Sequence, residues 1–294
     1  MIEINDSKLL FIINTGAGSG TDHLSALITN YFKPLQHSVE ILHFSKSDLL
    51  IMIQDKIDSF LPQKVIAVGG DGTVRLVATC LLHTNIALGI IPAGSANGLA
   101  KELGINTNLY EGLNTIVNGH FKKIHVTVVN KQLCLHLSDI GLNAHTIKKF
   151  EMQSNRGLWG YFLASLKALW QSQIMKVTMQ INNQSMKVRA TIIVIANATK
   201  YGTGAVINPI GKLDDALFEV IIVKTISLME VYKMLISHAP YNTEKIQVFQ
   251  TNELLISSSK KVHFQVDGEY YGKVKLINAT LISNAVNIIV PKPL

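Results

Sequence analysis

Lys64-Val65-Ile66-Ala67-Val68-Gly69-Gly70-Asp71-Gly72-Thr73 is a short apolar run that ends in three glycines around a single acid. Its first half reads as a buried strand, and from Thr73 to Leu82 the apolar spacing is helical. A strand that enters a helix through glycines suits phosphate. Glycine lets the backbone come close to an anion, and the N–H groups of a helix start point at it. Asp71 has two readings. It is a helix cap, a role Thr73 could share, or it holds Mg²⁺ or takes a proton from an attacking hydroxyl.

The same alternation continues on both sides. KLLFIIN (8–14), SVEILHF (38–44) and NIALGII (85–91) read as further strands, with helices over 22–32, 47–59 and within 92–103. Short apolar strands alternating with helices indicate βαβ units and a parallel sheet. The loop Gly89-Ile90-Ile91-Pro92-Ala93-Gly94-Ser95-Ala96-Asn97-Gly98 lies between a strand and a helix, on the same carboxyl edge as the GGDGT turn. Gly94, Ser95 and Asn97 are its candidates for phosphate contact, and Ser95 could equally be a cap. The first loop, Asn14-Thr15-Gly16-Ala17-Gly18-Ser19-Gly20, invites a dinucleotide reading, with Glu40 further on. Its third glycine is misplaced for that fingerprint. What survives is a turn of small residues that could pack on a nucleotide.

From Lys122 onward the pattern changes. β-Branched runs occupy 123–130, 175–181, 190–197, 217–223, 261–268, 273–282 and 286–290, with turn signals at Asn182-Asn183, Asp267-Gly268 and Ser283-Asn284. Helical patches interrupt at 158–170 and 227–236. Many strands and few helices suggest an antiparallel β-sandwich or barrel. The expected organisation is an α/β nucleotide-binding domain over 1–121 and a β-rich domain over 122–294. The last strand is a candidate to return to the first domain, and a cleft between the domains is the default site.

Composition agrees. The chain has 294 residues, 48% hydrophobic and 16% charged, with mean hydropathy +0.26. Such a chain is not disordered, and no run reaches the ~18–20 apolar residues of a spanning helix. Cys80 and Cys134 cannot form a disulfide framework or a four-thiolate zinc site. The opening Met1-Ile2-Glu3-Ile4-Asn5-Asp6 has no basic n-region, so a cytoplasmic setting is expected. The net charge of +7 suits an anionic partner. No Lys/Arg cluster interleaves with aromatics, which argues against nucleic acid. There is no P-loop, H-E-x-x-H or C-x-x-C motif. His43, His125 and His136 read as structural. Trp159 and Trp170 read as packing residues or as the border of an apolar pocket.

The ordered set GGDGT (69–73) and G-I-I-P-A-G-S-A-N-G-L-A-K-E-L-G (89–104) resembles the catalytic domain of the diacylglycerol kinase and sphingosine kinase family. The likeness extends to Asn14 through Gly20, Asp139-Ile140-Gly141-Leu142-Asn143-Ala144, Arg156-Gly157, Tyr201-Gly202-Thr203-Gly204, Asp214-Asp215-Ala216-Leu217 and Val266-Asp267-Gly268-Glu269. The resemblance implies an NAD kinase/phosphofructokinase-like α/β domain followed by a β-sandwich. It also implies ATP- and Mg²⁺-dependent phosphorylation of a lipid hydroxyl. Asp71 would be base or metal-linked carboxylate, and Glu269 would face the γ-phosphate or the acceptor hydroxyl. Asn14, Thr15, Ser45, Gly69, Gly70, Gly72, Thr73, Gly94, Ser95 and Asn97 would contact the nucleotide, and Arg156 would clamp phosphate. The implied partner is a lipid at an anionic membrane surface, approached peripherally. A homodimer through an exposed strand edge is a further expectation.

The chain departs from the family pattern at Thr15, where proline is usual, and at Arg75 and Leu76, where Asn-Glu is usual. Gly98 stands where an acid is usual, and Asp215 where glycine is usual. The Gly98 change draws the second loop toward the sphingosine kinase branch. Two other readings stand beside the lipid kinase: an NAD or small-molecule kinase of the same superfamily, and a catalytically impaired regulator that binds nucleotide or lipid.

Overall fold

A computed structural model describes residues 7–15, 21–44, 49–141, 174–201, 205–225 and 227–293. The chain divides into two compact units, residues 1–124 with 284–294, and residues 125–283.

The first unit is α/β. Strands β1 (Lys8–Asn14), β2 (Ser38–Phe44), β3 (Lys64–Gly69) and β4 (Ala87–Pro92) alternate with helices α1 (Thr21–Phe32), α2 (Leu49–Phe60) and α3 (Asp71–Leu81). All pairings are parallel, in the order β2-β1-β3-β4. Helices α4 (Gly98–Glu102) and α5 (Leu109–Asn118) follow. Leu9, Phe11 and Ile13 of β1 pack against Ile28 and Phe32 of α1 and Leu113 and Ile116 of α5. Leu10 and Ile12, on the other face of β1, are buried too. A strand covered on both sides needs an unbroken apolar run, which is why KLLFIIN does not alternate. Each such side chain contributes about 1.5–3 kcal/mol on burial.

Helix α5 has no counterpart in the sequence reading. Its signal is local: the Asn108 side chain accepts from the N–H groups of Tyr110 and Glu111 as an N-cap.

The second unit is an antiparallel β-sandwich. Its strands are the end of β5 (His120–Val129), β6 (Gln132–Cys134), β7 (Leu137–Ile140), β8 (Met175–Ile181), β9 (Gln184–Ala190), β10 (Ile192–Ala196), β11 (Lys200–Tyr201) and β12 (Ala205–Val206). They continue with β13 (Phe218–Val223), β14 (Ile246–Thr251), β15 (Glu253–Val266) and most of β16 (Glu269–Val290). One path runs β14-β13-β10-β7-β15, and β15 also pairs β8, which pairs β9. Ile140, Met179, Ile193, Phe218, Phe264 and Ile277 belong to its main core. Asn182-Asn183 and Asp267-Gly268 close tight hairpins with positive φ at both central residues, 49° and 61° in the first and 46° and 81° in the second. Left-handed residues there match the right-handed twist of the strands. Helix α6 (Leu228–Tyr232) runs on as a π-turn, Lys233–Ser237.

Ser283-Asn284 is not a chain reversal, contrary to the turn signal read there. Asn284 does adopt φ 50°, yet β16 continues through it as one strand of 22 residues. Its final stretch pairs in parallel with β4, Asn287 beside Ala87 and Ile288 beside Leu88. The expected helix over 158–170 lies outside the described residues.

Candidate active site

The carboxyl ends of β1, β3 and β4 carry the loops singled out from sequence. Glycine makes the crossing of two of them feasible. A methyl built on Gly70 would sit 3.2 Å from the Gly94 Cα, and one built on Gly94 would overlap the Gly70 Cα outright. The loops therefore touch backbone to backbone. The N–H of Ala93 donates to the Gly69 carbonyl at 2.9 Å and continues this contact.

Asp71 is the rivet between the loops. Its Oδ2 accepts the N–H of Gly98 at 2.9 Å and its Oδ1 that of Leu99 at 3.2 Å. The sequence reading offered Asp71 as a cap of its own helix. The cap of α3 is instead Gly70, with no side-chain bond, and Asp71 caps α4, the helix after the second loop. Asn97 holds that loop from inside. It adopts φ 49°; its Oδ1 accepts the Gly94 N–H at 2.9 Å and its Nδ2 donates to the Gly94 carbonyl at 2.7 Å. Both amide ends are thus engaged on the loop backbone.

Asn14 joins the cluster by donating from Nδ2 to Thr73 Oγ1 at 3.4 Å. Thr73 is buried, and its N–H donates to the Gly70 carbonyl at 2.9 Å. The Thr15 hydroxyl donates to the Phe44 carbonyl at 2.8 Å, tying the end of β1 to that of β2. Gly72 and Ser95 are exposed. The N–H groups of Asp71 and Gly72 find no acceptor among the described residues. They lie in the first turn of an eleven-residue helix, where the aligned peptide dipoles favour an anion.

In the second unit, the Asp267-Gly268 hairpin tip is locked. The Asp267 carboxylate accepts three consecutive backbone N–H groups, those of Leu135, His136 and Leu137, each at 3.0 Å. Burial pushes the Asp267 carboxyl above the ordinary range, against the pull of those amides and of His136. Glu269, two residues on, is exposed and accepts from the Tyr271 hydroxyl at 3.2 Å.

Two domain models match nearly the whole chain. The diacylglycerol kinase catalytic domain covers residues 8–129, and the YegS C-terminal NAD kinase beta sandwich-like domain covers residues 139–290. The chain belongs to the family that joins these two domains. A diacylglycerol kinase of Bacillus subtilis is 24% identical over 238 residues, 78% of each chain. An uncharacterised protein of Synechocystis is 27% identical over 249 residues, 80% of this chain but 55% of that protein's length. The solved structure of a diacylglycerol kinase from Bacillus anthracis superposes with TM-score 0.74 at 20% identity, covering 97% of both chains. The fold is therefore that of this kinase family.

In this diacylglycerol kinase-family chain, Asn14, Gly69, Gly70, Asp71, Thr73, Gly94 and Asn97 come together in the first unit. Ser45 and Arg156 lie outside the described residues, as do Trp159, Trp170 and Gly202 through Gly204. His125 and His136 are buried, in keeping with a structural role, whereas His43 is exposed and meets Ser25 Oγ at 3.1 Å. Among the described residues no cluster of three or more His, Cys, Asp or Glu could hold a metal. Mg²⁺ in phosphoryl-transfer sites is often held by one or two carboxylates together with phosphate oxygens and water. Asp71 alone fits that mode. Sequence reasoning did not find the Gly98 and Leu99 amides as partners of Asp71, and no local signal could have shown them.

Proposed function

We propose that this chain transfers the γ-phosphoryl group of ATP to a hydroxyl of a diacylglycerol- or sphingosine-like lipid. The observation that carries the proposal is the Gly70–Gly94 crossing pinned by Asp71, beside the acceptor-free amides of Asp71 and Gly72. Phosphoryl transfer asks for positioning and for neutralisation of charge on the equatorial oxygens, with little covalent chemistry. A rigid pair of glycine loops at a helix start supplies positioning.

Asp71 spends one lone pair of each oxygen on an amide, which makes it an anchor between the loops. Its remaining lone pairs would hold Mg²⁺, which would supply neutralisation of phosphate charge. By the family resemblance, Glu269 would accept the proton of the lipid hydroxyl as that oxygen attacks the γ-phosphorus and the bond to the departing ADP oxygen breaks. The nucleotide rests on Asn14, Gly69, Gly70, Gly72, Thr73, Gly94 and Ser95, while Asn97 shapes the loop. The enzyme works at a membrane surface on the cytoplasmic side. The described residues contain no helix long and apolar enough to cross a bilayer.

The test is transfer from γ-labelled ATP, with Mg²⁺, to a total lipid extract, and mass spectrometry of the labelled product. A phosphorylated lipid is expected, and it should vanish in Asp71→Ala and in Glu269→Ala. Full activity in both variants refutes the site. Label appearing only in NAD or another soluble acceptor supports the small-molecule kinase instead. Calorimetric ATP binding without turnover on any acceptor supports the regulator.

A further inference from the structure

The sequence shows no basic cluster interleaved with aromatics, but the β-sandwich gathers basic residues from four strands. Strands β9, β8, β15 and β16 lie side by side, and Lys187, Thr178, Ser257 and Leu276 form one row across them. Because neighbours run antiparallel, the residues on one side of that row are Arg189, Lys176, Lys260, Lys261, Lys275 and Lys273. With Lys187 they make seven cations, all exposed, gathered at one end of the sheet. Lys187, Arg189 and Lys176 share the face of Leu276. The register shifts between Ser257 and Val262, and the consecutive Lys260 and Lys261 point to opposite sides. At about 3.3 Å per residue and about 4.8 Å between strands, they occupy roughly 15 Å by 15 Å. Beyond the other side of the row lies an open pocket of about 570 Å³, lined by uncharged residues such as Gln180, Asn182, Gln184 and Asn278 and by Glu253.

Among the described residues of these strands no acid balances this patch. Stretches 174–190, 254–266 and 270–282 contain no Asp or Glu after Glu253. Of the two carboxylates at the hairpin tip, Asp267 is engaged by three amides, and Glu269 is the other. None of the seven cations has a hydrogen-bond or ion-pair partner among the described residues. Lys176 and Arg189 are even direct cross-strand neighbours, an arrangement that repels. Neighbouring cations such as Lys176 and Arg189 lie within one Debye length, about 8 Å at physiological salt, so the folded sheet carries a local repulsion that an external polyanion would relieve.

Two exposed aliphatic side chains lie within the patch, Leu276 in the row itself and Ile174 at the start of β8, 53% and 54% exposed. Their inward-facing neighbours Met175, Val177, Met179 and Ile277 fill the core, so the sheet cannot turn to bury them.

The geometry points to this end of the β8–β9–β15–β16 sheet as the surface that docks on an anionic lipid bilayer. The cations sit over the headgroups, and Leu276 and Ile174 reach the acyl boundary. Exposed aliphatics among lysines are what an interface recruits, combining electrostatic attraction with a small apolar insertion. A single-strand nucleic-acid surface would set aromatics among the cations for stacking, and duplex DNA offers no apolar layer for Leu276 and Ile174 to enter. The choice of partner rests on the lipid-acceptor reading above, but the patch itself does not.

The test is sedimentation of the full chain with vesicles of phosphatidylglycerol and phosphatidylcholine in equal parts, without ATP or substrate. Neutral phosphatidylcholine vesicles and duplex DNA are the comparisons. Binding to the anionic vesicles is expected, falling as salt rises. Each removed cation should weaken it about fivefold, so Lys176→Gln/Lys187→Gln/Arg189→Gln should lose about a hundredfold. Lys260→Gln/Lys261→Gln should lose in proportion, and Leu276→Ser should lose affinity without altering the salt dependence. Activity toward a short-chain, monomeric lipid acceptor should be unchanged in all of them, since the substituted side chains are solvent-exposed.

Equal binding to neutral and anionic vesicles overturns the proposal. So does wild-type binding by the triple variant, or duplex DNA binding that the same substitutions abolish while vesicle binding persists. Vesicle binding without lipid phosphorylation would overturn the kinase reading and leave the docking surface. Lipid phosphorylation without vesicle binding would do the reverse.

Discussion

Gly94→Ala should damage catalysis more than Gly70→Ala, the other half of the loop crossing. The new Cβ would lie 3.0 Å from Asn97 Oδ1 and 3.1 Å from the Gly70 nitrogen, and would overlap the Gly70 Cα. Carbon atoms rest at about 3.5–4.0 Å, and the obstruction is backbone, which cannot rotate away. The two loops must therefore part by about 1 Å. Parting strains the Asp71 bonds to Gly98 and Leu99 and the Asn97 clip on Gly94. Overpacking of this kind costs about 1–3 kcal/mol, and a 1 Å displacement of a positioned phosphate costs about a hundredfold in rate. Gly70→Ala meets its nearest atom at 3.2 Å and should cost less on both measures. Thermal unfolding and steady-state kinetics with ATP varied would read the pair, with kcat falling more than the affinity for ATP. If Gly94→Ala kept wild-type kcat, or Gly70→Ala were the more damaged, the loop crossing would not be what positions the nucleotide.

Other outcomes follow from single contacts. Asp71→Ala leaves two first-turn amides of α4 without their acceptor, so calorimetric unfolding should show a loss of about 1–2 kcal/mol apart from any loss of activity. Asp267→Ala orphans three amides of residues that are themselves buried, and chemical denaturation should show a loss of about 3 kcal/mol or more. Glu219 is fully buried, and burial raises its pKa despite bonds from Gln250 and Asn208. The folded state then holds the proton more tightly than the unfolded chain. The resulting stability is complete below the unfolded carboxyl's pKa and is lost as pH rises through the folded value. The Tm of Glu219→Gln should therefore gain on wild type as pH increases, and parallel Tm curves would refute this. Burial pushes the Cys80 thiol up to about 11, so iodoacetamide should alkylate it at neutral pH far more slowly than a free thiol.

Much of the architecture is legible in local pattern. KLLFIIN coincides with β1 because a strand buried on both faces must be apolar throughout. SVEILHF coincides with β2, a half-buried edge strand, because Val39 and Ile41 alternate with Ser38 and Glu40 and pack on the core. Asn182-Asn183 and Asp267-Gly268 turn because those residue types tolerate positive φ. The misses have physical causes. Ser283-Asn284 has turn composition, yet the strand passes through it because its two ends pair with different partners, β15 before and β4 after. The first half of β15 contains Ser257-Ser258-Ser259, which reads as loop; pairing with β8 on one side and β16 on the other makes it strand.

The amino-acid sequence alone determined the order of elements, the change from parallel to antiparallel architecture and the glycine turns where phosphate chemistry belongs. These depend on residues a few positions apart, whose periodicity and φ preferences act locally. Only the tertiary structure decided that Asp71 grips the amides of Gly98 and Leu99, that Gly70 and Gly94 cross at van der Waals contact, and that seven scattered cations gather at one end of a sheet. Those outcomes depend on strand register and on loops meeting at one sheet edge. Neither property leaves a trace in the spacing of residues that lie far apart along the chain.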